Sequence, residues 1–222
     1  MSDDRQCCLC SQIQGQPAND LIAAMLPDQP YVRRVMLETD AFAVLPSLGP
    51  LVPGHSLLCP RAHVRAFAEL DGRLDGAFLA VKEELRERLA RLYGAEVHLF
   101  EHGMAKDGTR VLCTVEHAHL HVLPLPQPLD LGVAEDGRWV DCGGSLQSLR
   151  ELVGGGEYIL YETPDGASRI LRSEGGALES QYMRRLVVER LGQGSEWDWR
   201  AAPNPVLTDQ AWRRFARSGS AM

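Results

Sequence analysis

The stretch Glu116-His117-Ala118-His119-Leu120-His121-Val122-Leu123-Pro124 constrains this chain most, because three of its seven histidines recur there at alternate positions. Alternate residues of an extended strand share one face, roughly 6.5 to 7 Å apart, so the imidazoles form a row while Ala118, Leu120 and Val122 turn into a core. A solvated strand face has no reason to carry so regular a row, since histidine has only ordinary β propensity. Two chemical uses remain open: ligation of a metal by two or three of the rings, or catalysis along the row.

The rest of the composition limits what such a row acts on. With 222 residues, 45% hydrophobic and 24% charged, the chain can bury a proper core and reads as one soluble globular domain with an elaborated end. A formal charge of −7 argues against a nucleic-acid polymer as partner, although a local positive pocket for a small phosphate is compatible with it. No apolar run reaches the ~18 to 20 residues that span a bilayer, and Met1-Ser2-Asp3-Asp4-Arg5 lacks a signal-peptide profile. The expectation is a cytoplasmic protein with no membrane partner. In that compartment its six cysteines are thiols or ligands, and Cys7, Cys8 and Cys10, crowded together, favour a metal. Cys59 lies in an apolar strand and reads as core.

Taken in order, the first thirty residues read as loop with one helical turn over 21–26. Residues 31–37 and 42–45 read as a hairpin around Glu38-Thr39-Asp40, and 55–60 as a strand closed by Pro60. Apolar residues from Phe67 to Leu92 recur at spacings of three and four, which predicts an amphipathic helix, regular from about Asp75 and stopped by Gly94. Residues 96–100 form a strand that delivers Glu101-His102-Gly103, and the histidine strand follows. Beyond Pro124, Pro126 and Pro128 the chain to Gly144 reads as a loop or lid. Ser145 caps a short helix to Val153, residues 157–162 and 168–172 form a second hairpin, and another helix covers 178–191. The end, with Trp197, Trp199 and Pro203-Asn204-Pro205, reads as irregular.

Cys7 and Cys10 have the Cys-x-x-Cys spacing by which one tight turn offers two thiolates to zinc. Tetrahedral closure needs two more ligands, and His63 and one member of the row, preferably His117 at its start, are the candidates. Together, Cys7-x-x-Cys10, Pro53-Gly54-His55, Pro60-Arg61-Ala62-His63-Val64 and His117-Ala118-His119-Leu120-His121-Val122-Leu123 resemble the histidine triad (HIT) family in order and interval. The likeness is to its zinc-containing bacterial type, here with an extended C-terminal region.

That resemblance implies an α+β fold, with a HIT-like antiparallel sheet packed with helices and a C-terminal hairpin/helix extension, often dimeric. The HIT-like domain with its N-terminal zinc-binding segment would be residues 1–128, and the extension, packed on the same domain, 129–222. It implies a structural zinc held by Cys7, Cys10, His63 and His117, and a small phosphate-bearing substrate, a nucleotide linked through phosphorus to a leaving group. His119 would then be the nucleophile, forming a phosphohistidine that water resolves. His121 would bind a phosphate oxygen or orient His119, and His55, His102 and Thr114 would stand near the substrate. Val122-Leu123 after the third histidine matches hydrolase-like branches, whereas transferase branches carry glutamine near the motif's end. Nucleotidyl or phosphoryl transfer to a small acceptor, and a non-catalytic nucleotide-binding regulator, are the alternatives.

Pro46-Ser47-Leu48 stands where the family commonly has an acidic residue for the ribose hydroxyls, so the substrate frame is altered. Beyond residue 128, Gln181, Arg184 and Arg185 at i, i+3 and i+4 either aim donors at an anionic ligand or form a solvated helical face. Trp197 and Trp199 either cover a base or cap a core.

Overall fold

The alternating apolar runs pair into one antiparallel sheet in the computed structural model, which describes residues 7–104, 115–125, 129–133, 136–173, 178–194 and 196–219. Its eight strands are β1 (Leu37–Glu38), β2 (Phe42–Pro46), β3 (Ser56–Pro60), β4 (Glu96–Gly103), β5 (Leu120–Leu125), β6 (Trp139–Cys142), β7 (Tyr158–Glu162) and β8 (Ser168–Arg172). They lie in the order β1-β2-β3-β5-β4-β7-β8-β6. The fold is therefore α+β, and the strands after residue 128 continue the same sheet, because β7 pairs with β4 from Leu99↔Glu162 to Gly103↔Tyr158.

Helices cover both faces: α1 (Cys8–Gln14), α2 (Leu21–Met25), α3 (Asp75–Tyr93), α4 (Leu146–Val153), α5 (Tyr182–Arg190) and α6 (Pro205–Ser218). α3 forms where the three- and four-residue spacing predicts it, burying Phe78, Val81, Leu85 and Leu89 and ending on Gly94 in the left-handed conformation. α4 opens on Ser145, whose hydroxyl accepts from the Ser148 amide in a capping box. No described helix is long and apolar enough to cross a membrane.

β5 sorts its residues between two cores. Ala118, just before it, and Leu120 and Val122 enter the core beneath α3, whereas Leu123 and Leu125 enter the core beneath α5 with Phe100, Ile159 and Val187. Leu120 and Val122 are at most 1% exposed, and each full burial contributes roughly 1.5 to 3 kcal/mol, which anchors the histidine row on its apolar side.

Five expectations are corrected. Sheet pairing of the histidine segment begins at Leu120, so His117 and His119 lie on the chain entering β5. The N-terminal loop contains α1, and the first hairpin strand shrinks to two residues, Leu37–Glu38. Part of the expected lid is β6, whose Trp139 and Cys142 are buried against β8. The irregular C-terminus contains α6, which starts on an Asn204 side chain accepting from Leu207 N–H, with Pro205 in its first turn.

Candidate functional site

Two histidine-rich centres meet where β3 and β5 run side by side. At the first, α1 brings Cys7 and Cys10 against His63 and His117, with all four ligand atoms within 4.8 Å of one another. Cys7 is the cap of α1, its sulfur accepting from the Cys10 amide, so the helix start itself aims both thiols. Cys10 Sγ lies 3.3 Å from both His63 Nδ1 and His117 Nδ1, and Cys7 Sγ 3.6 Å from His117 Nδ1. Bonds of 2.0 to 2.3 Å to one tetrahedral metal put neighbouring ligands about 3.5 Å apart, so these separations fit a closed two-sulfur, two-nitrogen centre. His117 Nε2–H donates to the Pro60 carbonyl at 2.8 Å, which leaves Nδ1 with its lone pair toward the sulfurs.

The second centre is a chain of hydrogen bonds whose direction is fixed by a backbone amide. Leu51 N–H donates to His55 Nδ1 at 3.1 Å, so the proton of neutral His55 sits on Nε2 and is donated to His121 Nδ1, 2.9 Å away. His121 therefore carries its own proton on Nε2. His119 Nδ1–H donates to the His117 carbonyl at 2.7 Å, leaving its Nε2 unprotonated. The rings of His119 and His121 meet edge to face at 5.0 Å, and Phe100 stacks on His121 at 4.5 Å.

All three rings are held neutral. Burial pushes His55 and His121 well below the usual imidazole range, reinforced in both cases by the Arg184 charge and by competition with the adjoining His119 ring for a proton. Burial also lowers His119, opposed by its bond to the His117 carbonyl and aided by Arg184 and His102.

His119 and His121 line two small cavities of about 80 and 70 Å³ that share Val115, Arg184 and Trp199. The first also touches His102 and Gln181, and the second is walled by Leu9, Ile22, Leu48 and Leu57. Of the expected substrate residues, His102 is on the wall with its Nε2 bonded to Glu157 at 2.9 Å. His55 is fully buried behind His121 and touches neither cavity. Thr114 lies outside the described residues. Gln181 and Arg184 reach the pocket from α5, while Arg185 turns away to Glu179 and lies over the Trp197 ring. Sequence reasoning missed Phe100, which sits opposite His121 in the β4–β5 register, and left Trp199 between two roles.

Comparison with known proteins bears on residues 31–127, which match the HIT domain family model. A curated relative, the bifunctional bis(5'-adenosyl)-triphosphatase/adenylylsulfatase FHIT of Arabidopsis thaliana, is 28% identical over 92 residues. That match covers 41% of this chain and 49% of the relative, so the chain spans about half the relative's length. Among solved structures, a zinc-bound histidine triad family protein from Mycobacterium smegmatis aligns at 22% identity and a TM-score of 0.40, over 55% of this chain and 77% of that one. A hypothetical protein from Leishmania major aligns at 19% identity and a TM-score of 0.42, over 56% of this chain and 77% of that one. With its alternating histidines at the end of the matched segment, this chain carries a stretch, residues 31–127, that matches the HIT domain.

Proposed function

We propose that the protein is a hydrolase that cleaves a phosphorus-linked bond in a nucleotide or related phosphometabolite through a phosphohistidine on His119. The hydrogen-bond chain carries this reading: it leaves His119 Nε2 unprotonated and His121 Nε2–H as a donor beside it. A neutral imidazole is a competent nucleophile toward phosphorus at neutral pH, and covalent catalysis divides one displacement into two easier ones. In the first step Nε2 bonds to phosphorus and the scissile bond's electron pair departs with the leaving group, which takes up a proton. In the second, water displaces Nε2 from phosphorus and gives up a proton, restoring the neutral ring. His121 Nε2–H stabilises charge on a phosphoryl oxygen throughout, and His55 acts through His121 by fixing its tautomer.

The family match supports a nucleotide as the substrate class, and the name of the Arabidopsis relative is consistent with a phosphoanhydride. We assign Cys7, Cys10, His63 and His117 to a structural zinc. Four protein ligands leave no open position for water, so the metal's contribution is to fasten α1 beside the chain entering β5.

The test is turnover of adenylated, guanylated and sugar-nucleotide compounds by wild type and His119→Ala, with mass spectrometry for phosphohistidine in the trapped wild type. The expected result is loss of at least ~10³-fold in rate and of the adduct; unchanged turnover in the variant overturns the mechanism.

A further inference from the structure

α5 brings a buried positive charge to the neutral histidines. Arg184 is 4% exposed, and its bonds go to carbonyl oxygens: Nε to Trp197 and Nη2 to Gly49, both at 2.6 Å. Among the described residues no carboxylate pairs with it, and Nη1 makes no bond. Burial pulls its pKa down to about 10, opposed by Asp198, so the group stays charged at neutral pH. A buried charge without a counter-ion is strongly disfavoured, and the arrangement is completed by an anion. Arg184 lines both cavities beside His119 and His121, so that anion would meet the reactive ring.

A second orphan polar group stands one turn earlier on the same element. Gln181 precedes α5 with a left-handed backbone, φ 57°, and its buried Oε1 has no hydrogen-bond partner among the described residues. It lines the larger cavity with Arg184. Strained backbone and unpaired polar atoms gather where a ligand later satisfies them. At about 80 and 70 Å³ the two cavities are smaller than the roughly 300 Å³ of an ordinary small-molecule pocket, and they suit a phosphoryl group more than a whole nucleotide.

We propose that Arg184 is the anion clamp of this pocket, its Nη1 edge taking a nonbridging oxygen of the phosphoryl group presented to His119, while Gln181 Oε1 accepts a hydrogen bond from a hydroxyl or amine of the same substrate. The proposal rests on the phosphoryl-transfer reading and deepens it, because the specificity-determining cation comes from beyond the matched HIT segment. The two carbonyl bonds hold the guanidinium plane in place, so the clamp is preorganised, and lysine would restore charge without the fork.

Inorganic phosphate titrated calorimetrically into the full chain tests this. Wild type and His119→Ala should both bind it; Arg184→Gln should bind at least ~10-fold more weakly, with Arg184→Lys in between. Equal affinity in wild type and a folded Arg184→Gln overturns the clamp, as does no binding by wild type. If His119→Ala keeps full turnover while Arg184→Gln loses phosphate, the phosphohistidine mechanism fails and the clamp stands. Should the Arg184 variants not fold, the Arg184 Nε resonance of labelled wild type is followed during the titration. A shift that saturates with phosphate supports the contact, and an unmoved resonance overturns it.

Discussion

Glu101 is 1% exposed, and both of its oxygens are engaged: Oε1 accepts from Phe67 N–H at 2.9 Å and Oε2 meets the Tyr158 hydroxyl at 2.5 Å. Burial still pushes it up to about 7, against the opposite pull of those two bonds. From the ordinary value of 4.5 to about 7 the folded chain therefore holds a proton that the unfolded chain releases. Its contribution to stability is full below pH 4.5 and is lost as pH rises toward 7, a swing on the order of 3 kcal/mol. Urea unfolding across that window should show Glu101→Gln missing the decline; parallel curves for the two proteins would contradict the assignment. At this scale the histidine row was legible because its signal is spacing, and Cys7, Cys10, His63 and His117 because ligand chemistry is type-specific. The relay through His55 was not, since it depends on one amide, Leu51 N–H, that only the folded turn presents. Arg184 and Arg185 were indistinguishable by i, i+3 and i+4 spacing; packing against Trp197 and Gly49 turned the first inward and left the second on Glu179.

Among the elements, α1 depends most on something outside itself. Seven residues are too few for a helix to hold alone in water, so Cys8–Gln14 relies on buried Leu9 and Ile13 and on the thiol cluster at its start. Zinc removal by a chelator, or Cys7→Ser with Cys10→Ser, should lower the melting temperature and expose α1 amides to hydrogen exchange before those of β4 and β5. Full zinc retention by the double variant would reject the ligand set. The brevity of α1 also explains why it read as loop: one turn of apolar spacing, Leu9 to Ile13, with Gly15 as its stop, competes poorly with the cysteines around it. α6 carried a clearer signal in Asn204-Pro205, a cap followed by proline in the first turn, and in Ala211 and Phe215 at helical spacing. β6 could not be read as strand because its pairing partner, β8, lies almost thirty residues away and its own four residues, buried only at Trp139 and Cys142, show no alternation. α3, α4 and the β7–β8 hairpin were legible because caps and turns lie within the segments themselves.

Across the whole molecule, α6 clasps the segment that leads into the sheet and the chain leaving β2. Arg34, 1% exposed, donates to Asp209 at 2.7 Å; Thr208 donates to the Ser47 carbonyl and Trp212 to the Val35 carbonyl. Asp209→Ala strands a buried guanidinium and should cost roughly 3 to 5 kcal/mol in chemical denaturation, against about 1 kcal/mol or less for Arg213→Ala at the half-exposed end of the same network. Similar losses for the two variants would show that the Arg34 pair is not the fastening point. β4 takes β5 on one side and β7 on the other, so the edge from Leu99 to Gly103 is covered by the chain's own later residues. The outermost strands are then β1, two residues long, and β6, four residues long with Asp141 turned to solvent. Such blunt, charged margins are poor templates for strand addition, so the residues that bring Arg184 to the pocket also defend the sheet against edge-to-edge aggregation.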